Sequence, residues 1–159
     1  IAIADLDRDG RLDVAFSQES PDWEPNSGVF WLAAPVDPLA GAWQAHEIIR
    51  LRSVNSLSVG DMDGDGDPDL VVAEHTDQVR EAGALDNQTL VLENRDEARH
   101  WEAHVVERGG HSSHLGAKLG DLDGDGDLDI VSFGWMQYRP IHLWENLAVS
   151  PAACRGRRD

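Results

Sequence analysis

Three short segments of the sequence concentrate carboxylates at a spacing that can bind a cation. Each follows the pattern Asp-x-Asp-x-Asp-Gly-x-x-Asp, and they begin at Asp5, Asp61 and Asp121. They hold four, five and five aspartates of the 30 acidic residues, and the other acidic residues nearly balance the 13 Lys and Arg. Carboxylates this close together repel one another unless a cation lies among them. The pattern therefore indicates three local cation sites.

The spacing within each segment favours Ca²⁺. Carboxylates at positions 1, 3, 5 and 9 can surround one ion, glycine at position 6 allows a sharp turn, and position 7 can offer its backbone carbonyl. Ligands that are all oxygen suit Ca²⁺ better than Mg²⁺, and the absence of Cys and His from the loops excludes a zinc-type site. The predicted ligands are Asp5, Asp7, Asp9, Arg11 and Asp13, then Asp61, Asp63, Asp65, Asp67 and Asp69, then Asp121, Asp123, Asp125, Asp127 and Asp129.

The residue types also bear on two other interpretations of these loops, metal-free turns and EF-hands. Polar Asp-Gly turns without metal remain an alternative, although three copies in register argue against it. EF-hands are excluded because Glu is absent from position 12, and because the flanking residues predict strands instead of helices. Arg8 and Arg11 make the first loop less acidic than the other two, so we predict that it binds Ca²⁺ most weakly.

The self-similarity extends beyond the Asp loops. Val29–Leu32, Thr89–Leu92 and Ile141–Trp144 align as one strand, and Trp43–Ile49 matches Trp101–Val106. Each unit therefore predicts four short strands and no helix, and the loops begin 56 and 60 residues apart. Four strands per repeat are typical of β-propeller blades.

The residues Val59–Val72 and Leu119–Ser132 resemble FG-GAP/VCBS repeats, as in integrin α-subunit propellers and many secreted bacterial proteins. The resemblance covers residues 1–147. It implies an all-β fold of propeller blades, each a sheet of four antiparallel strands, with an Asp-rich Ca²⁺ loop between strands 1 and 2. It also implies that up to three Ca²⁺ ions serve a structural role.

The chain is predicted to hold part of a propeller. Repeats are expected at about residues 1–50, 51–108 and 109–148, with the third lacking its last strand, whereas closed propellers typically have about 4–8 blades. We expect a piece of a longer chain or of a larger assembly; closure of a three-blade subunit by oligomerisation is the alternative. Residues 149–159 predict a disordered tail.

The resemblance also separates two faces of the molecule. The Ca²⁺ loops would lie on one face, and the loops joining strands 2 to 3 and 4 to 1 on the opposite face. The 2–3 loops vary in length among the repeats, which favours a binding surface. Aromatic rings beside carboxylates, amides and arginines are what a carbohydrate site uses. The predicted ligand-binding residues are Trp23, Glu74, His75, Asp77, Arg80, His111, His114, Trp135 and Tyr138.

Two histidines are the candidate catalytic residues. His75 or His114 could act as a general base beside a carboxylate, although His114 could instead be a hydrogen-bonded loop residue. His46 and His104 occupy equivalent repeat positions, which favours a packing or hydrogen-bonding role for both. His111 and His114 together lack an identified third ligand for a transition metal.

The composition narrows the function classes. A formal charge of -17 argues against binding to nucleic acid or to an anionic membrane face, and no apolar run is long enough to insert into a membrane. Cys154, the single cysteine, cannot form an internal disulfide. We expect a Ca²⁺-stabilised segment that recognises carbohydrate or protein in an extracellular, cell-surface or periplasmic location, with a signal peptide upstream of this segment. A lyase or dehydratase acting on sugars is the alternative, and a blade array without a ligand of its own is the third hypothesis.

Overall fold

A computed structural model describes residues 1–19, 27–75, 87–109, 114–134 and 141–148, with the backbone alone at residues 114–116 and 134. The described residues form strands and connections without a helix, so none of them forms a helix that could span a membrane. The strands are β1 (Ala2–Ala4), β2 (Asp13–Ser17), β3 (Ser27–Ala33), β4 (Gln44–Leu51), β5 (Val54–Gly60), β6 (Asp69–Glu74), β7 (Gln88–Arg95), β8 (His100–Arg108), β9 (His114–Gly120), β10 (Asp129–Gly134) and β11 (Ile141–Trp144).

The strands form three antiparallel sheets in chain order. Two sheets have four strands, β1-β2-β3-β4 and β5-β6-β7-β8, and the described part of the third has three, β9-β10-β11. The last residue of the first strand pairs with the position-9 aspartate in each sheet: Ala4 with Asp13, Gly60 with Asp69 and Gly120 with Asp129. Each Asp loop therefore joins strands 1 and 2, and the all-β prediction of propeller blades is confirmed.

The apolar core lies between the blades. One cluster joins the first blade to the second, with Val29 and Trp31 packed near Leu70 and Val72, and a smaller one joins the second blade to the third around Val71 and other residues. Successive residues of a strand point to opposite faces of its sheet. Strand β6 is buried along its whole length because the central blade is covered on both faces. Burial of each of its aliphatic side chains contributes about 1.5–3 kcal/mol.

The blades do not close into a ring, and the outer face of the third blade stays exposed. Leu6 and Met62 stand at position 2 of the first two Asp loops and are 0% and 7% exposed, because the next blade covers each of them. Leu122 has the same position in the third loop and is 54% exposed. Ile141 and Leu143 of β11 are exposed as well. This face matches the partial propeller that the sequence predicts.

Candidate metal centres

The carboxylate that begins each Asp loop is oriented by backbone amides of the same loop. Asp61 accepts hydrogen bonds from the amides of Gly64 (2.9 Å) and Gly66 (3.0 Å). Asp121 accepts the equivalent bonds at 2.7 and 3.2 Å. Gly64 and Gly66 have φ values of 78° and 92°, in the left-handed region that glycine adopts without a steric penalty. The turn therefore holds the first carboxylate in one orientation.

The carboxylates at positions 3 and 5 each form a short local turn. In the second loop, Asp63 accepts from the amide of Asp65 at 3.0 Å, and Asp65 accepts from the amide of Asp67 at 2.8 Å. The first and third loops repeat both bonds. Aspartate favours this two-residue turn because its side chain reaches its own backbone. The sequence pattern therefore builds the same loop backbone three times.

The aspartate at position 9 connects its loop to the end of the third strand of the same blade. Asp69 is fully buried and accepts hydrogen bonds from the amides of Met62 (2.7 Å) and Asn94 (2.8 Å). Asp13 does the same with Leu6 and Ala34, at 3.0 and 2.8 Å. Asp129 repeats the arrangement in the third blade. These carboxylates satisfy buried backbone donors, which is a structural role that the sequence pattern did not reveal.

The three loops fit a Ca²⁺ ion in donor chemistry and in size. In each loop, carboxylate oxygens from positions 1, 3 and 9 all lie within 4.8 Å of one another. Oxygens on opposite sides of a Ca²⁺ ion are about 5 Å apart, since each lies about 2.3–2.6 Å from the ion. One oxygen of Asp5 is buried without a hydrogen-bond partner among the described residues. The position-5 carboxylates and Asp67 and Asp127 lie outside these close groups, and their ligand role stays a prediction.

Two asparagines link a blade to the Asp loop of the preceding blade: one connects the second blade to the first loop, and the other connects the third blade to the second loop. The side-chain amide of Asn94 donates to the carbonyl of Leu6 in the first loop (2.8 Å) and of Pro68 in its own loop (3.2 Å). Asn146 donates in the same way to Met62 (2.7 Å) and Leu128 (3.2 Å). The sequence marks these two residues by a repeated Glu-Asn pair at the end of the third strand. The pair does not indicate that the asparagine binds a carbonyl in the loop of the preceding blade.

A family model described as an FG-GAP-like repeat matches residues 61–132. Residues 61–132 belong to the FG-GAP repeat family. This FG-GAP segment runs from the second Asp loop to the strand after the third one. Outside the matched range, the first loop repeats the position-6, position-3, position-5 and position-9 hydrogen bonds, but not the bond from the position-4 amide to the first carboxylate. No curated protein is a significant match to the chain.

The first loop differs from the two loops of the FG-GAP segment through its arginines. Arg8 has a φ of 58° at the position where Gly64 and Gly124 stand in the other loops. Its guanidinium extends to the second loop and lies 2.7 Å from a carboxylate oxygen of Asp67. Arg11 forms an ion pair with Asp9 and donates to the carbonyl of Ala34 at 2.8 Å. The first loop therefore contains an internal cation beside one of its predicted ligands.

Burial acts on the position-9 carboxylates unequally. Desolvation raises the pKa of Asp69 to about 6, although the hydrogen bonds from Asn94 and Met62 act to lower it. Desolvation also raises the pKa of Asp13. Asp129 lies on the terminal blade, where the hydrogen bonds from Asn146 and Leu122 outweigh desolvation and lower its pKa. A cation in the first two loops would offset the desolvation of their charges.

The predicted ligand face, opposite the Asp loops, is described in part. Glu74 is 2% exposed and accepts from the amides of Arg52 and Gln88, each at 3.0 Å. His75 is 5% exposed, and its amide donates to the carbonyl of Ser53. Both residues therefore stabilise the connections at this end of the second blade. The other predicted ligand residues lie outside the described residues or have an undescribed side chain, and their grouping stays a prediction: Trp23, Asp77, Arg80, His111, His114, Trp135 and Tyr138.

The two repeat-equivalent histidines have different partners. His46 stacks on Trp31, with ring centroids 4.5 Å apart and planes 17° apart. His104 lies 2.6 Å from a carboxylate oxygen of Glu93. Glu93 and Glu102 could join His104 around a metal ion by distance. Arg95 already forms ion pairs with both glutamates, at 2.7 and 3.0 Å, so a guanidinium offsets part of the negative charge of this cluster.

Proposed function

We propose that this chain is a Ca²⁺-stabilised FG-GAP propeller segment that serves as an extracellular, cell-surface or periplasmic recognition scaffold for carbohydrate or protein. The observation that carries the proposal is the threefold repetition of one carboxylate arrangement. Positions 1, 3 and 9 approach within 4.8 Å in every loop, and backbone amides hold each of them. Residues that fold into the same oxygen-lined site three times are best explained by one shared ligand.

The geometry supports a structural role for the ion. The position-1, position-3 and position-9 carboxylates, such as Asp61, Asp63 and Asp69, would hold it. Bound Ca²⁺ would neutralise their mutual repulsion and fix the hairpin between the first two strands of the blade. Asp69 connects this hairpin to the third strand through Asn94, so the ion would stabilise the blade through the side chain that already joins its parts.

The proposed location follows from the chemistry of the sites. Extracellular modules bind Ca²⁺ with dissociation constants of about 10⁻⁴–10⁻³ M, which requires the high Ca²⁺ concentration outside cells. Short surface loops with several carboxylates and flexible oxygen ligation are suited to that range. The strongly acidic composition is also compatible with an environment rich in divalent cations.

The sugar-processing enzyme that the sequence leaves open gains no support from the described residues. His75 is the one candidate base whose side chain is described, and only 5% of its surface is exposed. The proposal therefore keeps recognition as the first function and the sugar-processing enzyme as the alternative.

A thermal melt tests the Ca²⁺ half of the proposal. We expect the melting temperature in 5 mM Ca²⁺ to exceed that in EGTA, because an ion at about 5–50 times its dissociation constant stabilises the folded state by about 1–2.3 kcal/mol per site. That corresponds to roughly 2–9 °C per site for a domain of this size. Mg²⁺ at the same concentration is the control and should have a much smaller effect. Equal melting temperatures in Ca²⁺ and EGTA would contradict the proposal.

The recognition half is tested separately on the Ca²⁺-loaded protein. Glycan-array binding and pull-down of extracellular proteins should yield a ligand whose binding disappears in EGTA. The proposal fails if both assays are blank with Ca²⁺ present.

A further inference from the structure

A cavity of about 700 Å³ opens between the first and second blades at the end of the sheets that carries the Asp loops. Its volume lies in the range of roughly 300–1,000 Å³ that is usual for ligand sites. Strands β3, β4 and β8, the first Asp loop and the turn between β7 and β8 supply its lining. The cavity therefore lies at the opposite end of the blades from Glu74 and His75.

Aromatic rings from both blades line the cavity. Trp31 and His46 form the stacked pair of the first blade, and Trp101 at the start of β8 adds a ring from the second. The indole N–H of Trp101 is buried and has no hydrogen-bond partner among the described residues. An unsatisfied buried donor costs about 1–3 kcal/mol. A ligand hydroxyl would supply the missing acceptor if the side chains that cover this N–H shift on binding.

The cavity lining contains many charged side chains, and their charges cancel once the first loop holds a divalent cation. Four carboxylates and two guanidinium groups face the cavity, and two of the carboxylates, Asp7 and Asp9, belong to the first Asp loop. A divalent cation in that loop would leave the lining with no net charge. Gln44 is exposed, and its side-chain amide makes no hydrogen bond to another described residue. The cavity therefore offers both donors and acceptors without a preferred ligand charge.

One wall of the cavity is a strained turn. Asp96, Glu97 and Ala98 have consecutive φ values of 57°, 55° and 62°, which is the left-handed region. This conformation costs roughly 1–2 kcal/mol for each residue other than glycine. Asn94 holds the turn by accepting from the amide of Ala98 at 2.7 Å. Strained backbone persists where the surrounding structure fixes it and is concentrated at binding sites. Here the strained turn places Glu97 and Arg99 at the cavity.

We propose that this interblade cavity binds an uncharged saccharide unit. The partly exposed rings of His46 and Trp101 would pack against the C–H surfaces of a sugar, with the buried Trp31 supporting His46 from behind. The amide, carboxylate and guanidinium groups would hydrogen-bond its hydroxyls. An acidic or a cationic ligand would bring an uncompensated charge into a lining that has no net charge once the first loop holds a cation, and a purely apolar ligand would leave the polar lining unsatisfied. This inference rests on the proposed recognition function and places its ligand on the Asp-loop end of the molecule.

The repeat supplies matched controls for the cavity. Trp43 is the sequence equivalent of Trp101, but its indole N–H donates to the carbonyl of Pro38 (3.1 Å) and the residue does not line the cavity. His104 is the equivalent of His46, but it contacts Glu93 instead of the cavity. Each cavity variant can therefore be compared with the same substitution at the same position of the neighbouring blade.

The test is a binding titration of the full chain in saturating Ca²⁺, followed by tryptophan fluorescence and calorimetry. The probes are glucose, galactose, mannose and fucose, with glucosamine as a cationic and glucuronate as an anionic comparison. We expect at least one uncharged sugar to bind better than both charged ones. Trp101→Ala and His46→Ala should each raise its Kd about tenfold, whereas Trp43→Ala and His104→Ala should change it less than twofold.

Gln44→Ala protects the test against loss of folding, because Gln44 is exposed and makes no hydrogen bond to a described residue. It should raise Kd severalfold with an unchanged circular dichroism spectrum and melting temperature. The inference is overturned if none of the uncharged sugars binds, if only a charged sugar binds, or if the three cavity variants leave Kd unchanged. A rise in melting temperature with Ca²⁺ in those cases leaves the metal half of the proposed function standing. If Ca²⁺ does not change the melting temperature but the cavity variants do weaken sugar binding, only the metal half of the proposed function is contradicted.

Discussion

The first and second Asp loops share one backbone arrangement and differ in the cations that surround it. Both join strands 1 and 2, and both orient their carboxylates with their own amides. Both end in a buried aspartate that accepts from a backbone amide at the end of the third strand. The second loop has Gly64 and Asp67 where the first has Arg8 and Arg11. The comparison teaches that the loop fold depends on the Asp and Gly positions, whereas the charge around the ion is set by the variable positions.

The two loops are also physically connected. Arg8 of the first loop forms an ion pair with Asp67 of the second, and Asn94 of the second blade donates to the carbonyl of Leu6 in the first loop. Ala34 occupies the equivalent of Asn94 in the first blade and can use only its backbone groups, donating its amide to Asp13 and accepting from Arg11 at its carbonyl. The first loop is therefore tied to the second blade by one ion pair and by one amide side chain, in addition to the apolar core between the blades.

The largest effect is expected at the position-9 aspartates in Ca²⁺. Asp69→Ala removes a predicted ligand and leaves the buried amides of Met62 and Asn94 without their acceptor, which should lower the free energy of unfolding by about 4 kcal/mol. Asp13→Ala should have a smaller effect, because the first loop is expected to bind Ca²⁺ more weakly. Urea unfolding in Ca²⁺ and in EGTA measures both. In EGTA, the two variants should lose nearly the same free energy of unfolding. If Asp69→Ala still loses clearly more than Asp13→Ala in EGTA, bound metal is not the cause of the difference.

Asn94→Ala gives the second blade the residue that the first blade has, and should lower the free energy of unfolding by about 2–3 kcal/mol. The cause is the loss of the hydrogen bonds to Leu6 and Pro68 and of the acceptor for the amide of Ala98. Asn146→Ala is the matched variant between the second and third blades and should have a smaller effect, since its site is only partly buried. Denaturant unfolding measures both, and a change below about 0.5 kcal/mol for Asn94→Ala would place it among neutral surface substitutions.

The pH dependence of the metal-free protein should carry a contribution from the buried carboxylate of the second loop. Burial raises the pKa of Asp69 to about 6 from an ordinary value of 3.8, so the folded state binds this proton more tightly than the unfolded state. The resulting stabilisation is fully present below about pH 4 and is lost as the pH rises through about 6, by on the order of 1–3 kcal/mol. Urea unfolding in EGTA between pH 4 and pH 8 measures it. Asp69→Asn should flatten this part of the profile, and an unchanged profile would count against the assignment to Asp69.

The Asp loops could be predicted from the sequence because their hydrogen bonds are local. Every carboxylate turn in the second loop joins residues at most seven positions apart, so the spacing alone encodes it. The role of Asn94 could not be predicted in the same way, because its partner Leu6 lies 88 positions away. The strained turn at Asp96, Glu97 and Ala98 has no glycine to mark it. The cavity likewise depends on how two blades pack, which strand patterns do not specify.

The most direct test of the account is a calorimetric Ca²⁺ titration of the metal-free protein. We expect two tighter sites and one weaker site, with the weaker one abolished by Asp5→Ala. Arg11→Gln should tighten that site severalfold, because it removes the guanidinium that pairs with Asp9, while Arg50→Gln, which changes an arginine paired with Glu47 outside the loops, should leave all sites unchanged. A titration without Ca²⁺ binding, or one in which the Asp5 loop is the tightest site, would contradict the account.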